Sequence, residues 1–276
     1  MNLVVQGEDV DSVALKNLAK IAGARAIEQI TAQAFRLVAA HDREDIDRLC
    51  ADAGLDRAWV PAGRRLADFG LFVTDMDSTL INIECIDEIA DMQGLKPQVA
   101  AITEAAMRGE IDFRESLTRR VSLLAGLPET ALAEVYEQRL QLNPGAERLM
   151  RGLKAAGLHT VLVSGGFTYF TERLKARLGF DEAYANELET HDGRLTGRVR
   201  GAIVDGEAKA AHLRHARERL GLKADQVIAA GDGANDIPML TEAGFAVAYR
   251  AKPVLRNVAD CRLDHVGLDG LLNLFA

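Results

Sequence analysis

Apolar residues in the first sixty positions fall into short blocks whose spacing switches between a strand period and a helix period. Leu3 to Val5 reads as a strand, Val10 to Ala22 as a helix, and Ala26 to Ile30 and Ala34 to Ala39 as two more strands. Arg43 to Ala53 then reads as a second helix and Arg57 to Val60 as a fourth strand. That order, βαββαβ, is the ferredoxin-like arrangement and implies an α+β unit over residues 1–65. Pro61-Ala-Gly-Arg-Arg65 breaks the periodicity and reads as a short linker.

The pattern changes from residue 66 onward. Leu71 to Thr74, Thr160 to Val163, Val227 to Ala230 and Ala246 to Ala248 are continuous apolar runs separated by helical patterns. Strands buried on both faces of a parallel sheet read this way, so residues 66–276 are expected to form a doubly wound α/β core. Between the first two runs, about residues 83–142 show helical periodicity and no strand candidate. The stretch is too long for an ordinary crossover and predicts an inserted helical cap. Asp192-Gly193, between extended-looking residues, predicts a hairpin.

Composition narrows the classes of function. The 276 residues allow about two domains. A formal charge of -8 with no Lys/Arg cluster excludes a general affinity for nucleic acid, and no apolar run approaches the roughly 20 residues of a membrane span. Cys50, Cys85 and Cys261 are odd in number and far apart, so no disulfide framework or zinc knuckle is expected. The N-terminus lacks the basic flank and cleavage site of a secretory signal, and a cytoplasmic location is the expectation.

Parallel sheets bind ligands at the carboxyl ends of their strands. Here the strand candidates run into Asp75-Met-Asp77-Ser-Thr79, Ser164-Gly165-Gly166 and Gly231-Asp232-Gly233-Ala-Asn235-Asp236. Paired carboxylates can hold Mg2+, and a metal-shielded aspartate can attack phosphorus while a second carboxylate handles protons. The glycine turn offers a hydroxyl and open N–H groups at what reads as a helix start, a cradle for phosphate. Rival readings fit less well. A calcium loop starting at Asp75 would need Gly and Glu where Leu80 and Ile86 stand. A dinucleotide fingerprint would place Asp236 where a pyrophosphate must approach.

These residues resemble the motifs of the haloacid dehalogenase superfamily, in order, from about Asp68 to the C-terminus. Glu84-Cys-Ile-Asp-Glu88 and Phe113-Arg-Glu-Ser-Leu-Thr-Arg-Arg120-Val121 are similar to the cap of its phosphoserine phosphatases. The resemblance implies Asp75 as nucleophile and Asp77 as acid/base. It implies Asp75, the carbonyl of Asp77 and Asp232 as ligands of Mg2+, with Asp236 ordering the metal's water shell. Glu84 would meet the ammonium of phosphoserine and Arg120 its carboxylate, while Ser164, Gly165, Lys209 and Asn235 would bind the phosphate and flanking groups. The implied reaction is hydrolysis of O-phospho-L-serine at the end of serine biosynthesis. The N-terminal element order resembles ACT-type domains, so an amino-acid ligand there and a homodimer are further partners this reading admits. A phosphotransferase to another alcohol and an amino-acid-sensing protein stay open as alternatives.

Some placements stand without the resemblance. Arg120 falls seven residues after Phe113, on the apolar stripe of its helix, and a charge there wants a partner; Arg119 points away. Lys209 sits early in a helix where the dipole disfavours a cation, which a phosphate partner would explain. Glu84 at a helix start needs no ligand. His212 and His215 read as a solvated helix face, and Phe113 as a core aromatic or, less commonly at such a position, a residue lining the substrate pocket.

Overall fold

The computed structural model describes residues 1–276, the side chain of Met107 excepted. The chain begins with β1 (Asn2–Gln6), α1 (Ser12–Ile21), β2 (Ala26–Thr31), β3 (Ala34–Val38), α2 (Ile46–Asp52) and β4 (Asp56–Val60). Alternation along β1 sends Leu3 and Val5 under α1 and α2, beside Leu15, Leu18 and Ile46, and sends Val4 into the main core on the opposite face. Asp11 caps α1 by accepting from Val13 and Ala14. The four strands pair antiparallel in the order β2-β3-β1-β4, the ferredoxin-like topology that the pattern predicts.

β5 (Leu71–Thr74) opens the second half, followed by four helices: α3 (Cys85–Met92), α4 (Lys96–Met107), α5 (Phe113–Ser122) and α6 (Thr130–Gln138). The chain returns through α7 (Ala146–Ala155) to β6 (His159–Phe167), α8 (Thr168–Leu178) and the hairpin β7 (Glu182–His191) and β8 (Arg194–Arg200). It finishes with α9 (Gly206–Arg219), β9 (Val227–Gly231), α10 (Ile237–Thr241), β10 (Phe245–Tyr249), α11 (Pro253–Arg256), β11 (Cys261–Leu263) and α12 (Gly270–Leu274).

The strands form one sheet in the order β2-β3-β1-β4-β11-β10-β9-β5-β6-β7-β8. From β11 to β7 every pair is parallel; β8 returns antiparallel to β7. The parallel strands are apolar on both faces: Phe72, Leu162, Ile228 and Val247 enter one core, and Leu71, Val73, Val161 and Ala229 the other, against Leu213 and Ala216 of α9. The pattern does not predict β11, three residues with no readable period. Its Cys261 pairs with Ala58 of β4 and so joins the two halves of the sheet.

The four helices after β5 leave and re-enter the sheet through two adjacent strands of backbone. Ile81 pairs with Leu142, and Asn82 N–H donates to Gln141. That crossing sets the helices above the carboxyl ends of β5, β6 and β9.

Candidate active site

Asp75 follows the last residue of β5 and is buried; its N–H donates to Ala230, extending the ladder with β9. Its Oδ1 accepts from Met76 N–H at 2.7 Å and from Lys209 Nζ at 2.8 Å. Lys209 is fully buried and also reaches Asp236 Oδ1 at 2.7 Å. Two carboxylates therefore explain the cation early in α9, where the sequence pattern suggests phosphate. Asp236 Oδ2 in turn accepts from the N–H groups of Asp232 and Gly233, both at 3.1 Å, and shapes the turn after β9. A Cβ on Gly231 would lie 2.5 Å from that carboxylate, so glycine is required there by close approach.

Thr79 Oγ1 donates to Asp232 Oδ1 at 2.9 Å and tethers the turn after β5 to the turn after β9. Asp75, Asp232 and Asp236 each offer an oxygen within 4.8 Å of the others. Burial and the Asp236 charge hold the Asp75 carboxyl well above the ordinary aspartate range, and the same two causes push Asp232 up to about 6. Burial works against the Lys209 ammonium, but Asp236 and Asp75 outweigh it and raise its pKa. Three carboxyl groups share one ammonium, and the raised values of Asp75 and Asp232 mark a deficit of positive charge around them. An all-oxygen donor set with that deficit fits a hard divalent cation such as Mg2+.

Asp77 presents Oδ2 to the Cys85 N–H at 3.3 Å, while its buried Oδ1 has no hydrogen-bond partner. Burial and the neighbouring Glu84 push its carboxyl up to about 8. Between them Ser78 adopts a left-handed φ of 56° and donates its hydroxyl to Glu84 Oε1 at 2.9 Å.

Ser164, Gly165 and Gly166 lie within β6, which runs on to Phe167 before α8 starts at Thr168. The helix start expected at this turn is thus displaced by two residues, because the bulged strand continues through it. Gly166 N–H donates to Ser164 Oγ at 2.9 Å. Added Cβ atoms at Gly165 and Gly166 would meet the Phe113 ring at 2.8 Å and Met76 Cε at 2.9 Å.

Over these residues sits the helical insertion. Glu84 is the N-cap of α3, and Arg120 lies in the last turn of α5. Arg120 is half-buried, and its side chain makes one hydrogen bond among the described residues, at 3.4 Å to the Ser116 carbonyl. Among the described residues no carboxylate comes within 4.0 Å of its guanidinium. Arg119, by contrast, is exposed and paired with Glu115 at 2.5 Å.

A cavity of about 290 Å³ is lined by Asp75, Asp77, Glu84, Arg120, Ser164, Gly165, Asp232 and Asn235. Lys209 and Asp236 lie beneath it, bonded to Asp75 and to the Asp232 turn. Phe113 packs against the core and also lines the cavity; Asp87 and Lys252, which the pattern does not single out, line it as well. Lys252 follows β10 with no telling neighbours, although its N–H donates to the Asp232 carbonyl at 2.9 Å. Asn143 carries no sequence signal either. Its Nδ2 reaches the carbonyls of Thr79 and Ile81, at 2.8 and 3.0 Å, and braces the turn after β5.

Residues 72–241 match the model of haloacid dehalogenase-like hydrolases. The chain belongs to that family. A phosphoserine phosphatase of Polaromonas sp. is 56% identical over 215 residues, 76% of this chain and 91% of the relative. A solved probable phosphoserine phosphatase from Vibrio cholerae superposes with a TM-score of 0.87 at 35% identity, over 99% of this chain and 86% of its own. A structure described as a phospho-aspartyl intermediate analogue of phosphoserine phosphatase superposes at 0.70, with 39% identity, over 75% of this chain and 99% of its own. Residues 3–46 separately match a domain of unknown function, DUF4072. As a haloacid dehalogenase-like hydrolase with these relatives, the chain is an enzyme of the phosphoserine phosphatase group. No helix among the described residues is long and apolar enough to cross a membrane.

Proposed function

We propose that the enzyme hydrolyses O-phospho-L-serine to L-serine and phosphate with Mg2+, in the cytoplasm, as the last step of serine biosynthesis. The observation that carries this reading is Arg120, a half-buried guanidinium lining the cavity with no carboxylate within 4.0 Å of it among the described residues. A substrate carboxylate would complete it, and Glu84 across the cavity would take the ammonium. The names of the relatives support the same substrate.

Mg2+ held by Asp75, Asp232 and the Asp77 carbonyl, with Asp236 ordering its waters, would supply the positive charge that lets a carboxylate approach a dianionic ester. Lys209 holds the Asp75 carboxylate by one oxygen and leaves the other free to attack. The Asp75 oxygen bonds to phosphorus as the bond from phosphorus to the serine oxygen breaks. Asp77, its Oδ1 unpaired, gives its proton to that leaving oxygen. It then takes a proton from the water that attacks the aspartyl phosphate, and phosphate leaves as Asp75 is regenerated. Ser164, the Gly165 N–H, Lys209 and Asn235 bind the phosphate oxygens and flanking groups. The helical insertion, at about residues 83–142, covers the site and keeps other water out.

We assign residues 66–276 to the phosphatase domain and residues 1–65 to an ACT-type unit, with an amino acid as its ligand and a homodimer as its assembly. The antiparallel order of β1 to β4 supports the unit's type.

The test is phosphate release from L-phosphoserine with Mg2+ and with EDTA, beside phosphosugars, nucleotides and phosphocholine. Selective, metal-dependent release is expected. Release only from another ester would keep the Asp75 chemistry and remove the roles given to Glu84 and Arg120.

A further inference from the structure

Asn186 stands in β7 opposite Phe167 of β6 and is buried. Pairing between the two strands runs from Val161 with Glu182 to Val163 with Tyr184, then resumes at Phe167 with Asn186. Ser164, Gly165 and Gly166 therefore oppose a single residue, Ala185. Such a bulge lifts backbone groups out of the ladder, and a half-buried carbonyl among them is left short of a donor. The Asn186 side chain supplies it: Nδ2 donates to the Gly165 carbonyl at 2.8 Å, while Oδ1 accepts from the Val204 N–H at 2.8 Å.

The Gly165 carbonyl and the Gly166 N–H belong to one planar peptide unit. That unit is pinned at both ends, by Asn186 at the oxygen and by Ser164 Oγ, 2.9 Å away, at the nitrogen. With its oxygen accepting from Gly166, Ser164 has its hydroxyl hydrogen left for an acceptor in the cavity it lines. The second bond holds Val204, two residues ahead of α9, the helix that carries Lys209. Both amide atoms of one buried side chain thus tie the bulged turn to the segment that sets the lysine.

We propose that Asn186 is a positioning residue for the reaction, aiming the Ser164 hydroxyl and registering α9 against Asp75. The inference rests on the reading that Ser164 and Lys209 serve the phosphate.

The experiment is a double-mutant cycle in the full-length enzyme with Mg2+, using Asn186→Leu, Ser164→Ala and the pair. It reads kcat/KM on L-phosphoserine and inhibition by inorganic phosphate, at temperatures below each variant's unfolding midpoint. Asn186→Leu is expected to lower kcat/KM and weaken phosphate inhibition by about 10- to 100-fold, the scale set by residues that orient a site's contacting groups. The double variant is expected to lose clearly less than the product of the two single losses, because both changes remove the aim of the Ser164 hydroxyl, while only Asn186→Leu also loosens α9. Fully multiplicative losses, or an Asn186 variant that is less stable but keeps wild-type kcat/KM and phosphate inhibition, would overturn the proposal. Should Asn186→Leu not fold, Asn186→Ser, which fits the vacated volume, carries the same cycle. A wild type active only on another phosphomonoester would end the phosphoserine reading alone, and the cycle would then be run on that ester.

Discussion

Asp75 and Asp56 are both buried aspartates next to a strand of one sheet, and burial raises the pKa of each. Their surroundings differ. Asp56, at the start of β4, accepts from the N–H groups of Asp264, His265 and Val266 at 2.8 to 3.2 Å, with both oxygens engaged. Asp75 shares its space with Asp232 and Asp236, and one lysine serves two of the three. A carboxylate saturated by backbone donors holds a fold together; one crowded by its own kind is held ready for a cation and an electrophile. The contrast is between these two carboxylates: at the antiparallel end both Asp56 oxygens are spent on backbone donors, and in the parallel middle the Asp75 group is left short of positive charge.

The largest effect should come from the crowded side. Asp75→Asn is expected to lower kcat by about ten-thousand-fold or more while the thermal midpoint stays or rises, since one of three mutually repelling carboxylates is gone. Phosphate release and calorimetry on the same preparation check both halves. Appreciable turnover in the folded variant would break the covalent mechanism.

Arg120→Ala should follow, with kcat/KM on L-phosphoserine down by about 100-fold or more and phosphoethanolamine little affected, because only the former has a carboxylate for the guanidinium. Equal losses on both esters would make Arg120 a packing residue of α5. On the saturated side, Asp56→Ala is expected to lower stability by about 1–3 kcal/mol, the scale of buried donors left without acceptors. The low end is favoured because removing a buried charge offsets part of the loss. Urea unfolding measures the change, and kcat should hold; a drop in kcat at full folding would mean the two ends of the sheet are coupled.

The legible parts of this molecule are those whose cause is local. Four-residue runs such as Leu71 to Thr74 announce parallel strands because both faces are buried, and the residue after each run falls at the ligand-binding edge. Asp75, Asp77 and Asp232 were readable for that reason. Asp56 was not, since its partners lie 208 to 210 residues away in a turn without pattern. Asn143 and Asn186 failed to stand out for the same cause: each serves carbonyls that a bulge or turn displaces, and neither displacement is written in periodicity. Lys209 is legible as a cation early in a helix that wants a partner, but the partners are carboxylates from two other strand ends rather than the phosphate that the pattern suggests.

Glu182 tests the comparison where it should be weakest, at a carboxylate that is satisfied but near solvent. It begins β7 and takes hydrogen bonds from Tyr184 at 2.5 Å and from His159 and Arg219. Burial alone would raise its pKa, but the bonds from Tyr184, His159 and Arg219 outweigh it and hold the carboxyl at about 2. A depressed folded value means the carboxylate's contribution is full above the unfolded value of about 4.5 and is lost as the pH falls toward about 2. Solvent screening limits the gain, so Glu182→Gln should cost only about 1 kcal/mol at pH 7. In urea unfolding across pH 7 to 3, the gap between wild type and variant should stay level to about pH 4.5 and then narrow. A gap that does not move with pH would place the effect in packing rather than charge, and would put Glu182 beside Asp56 among the residues that serve shape alone.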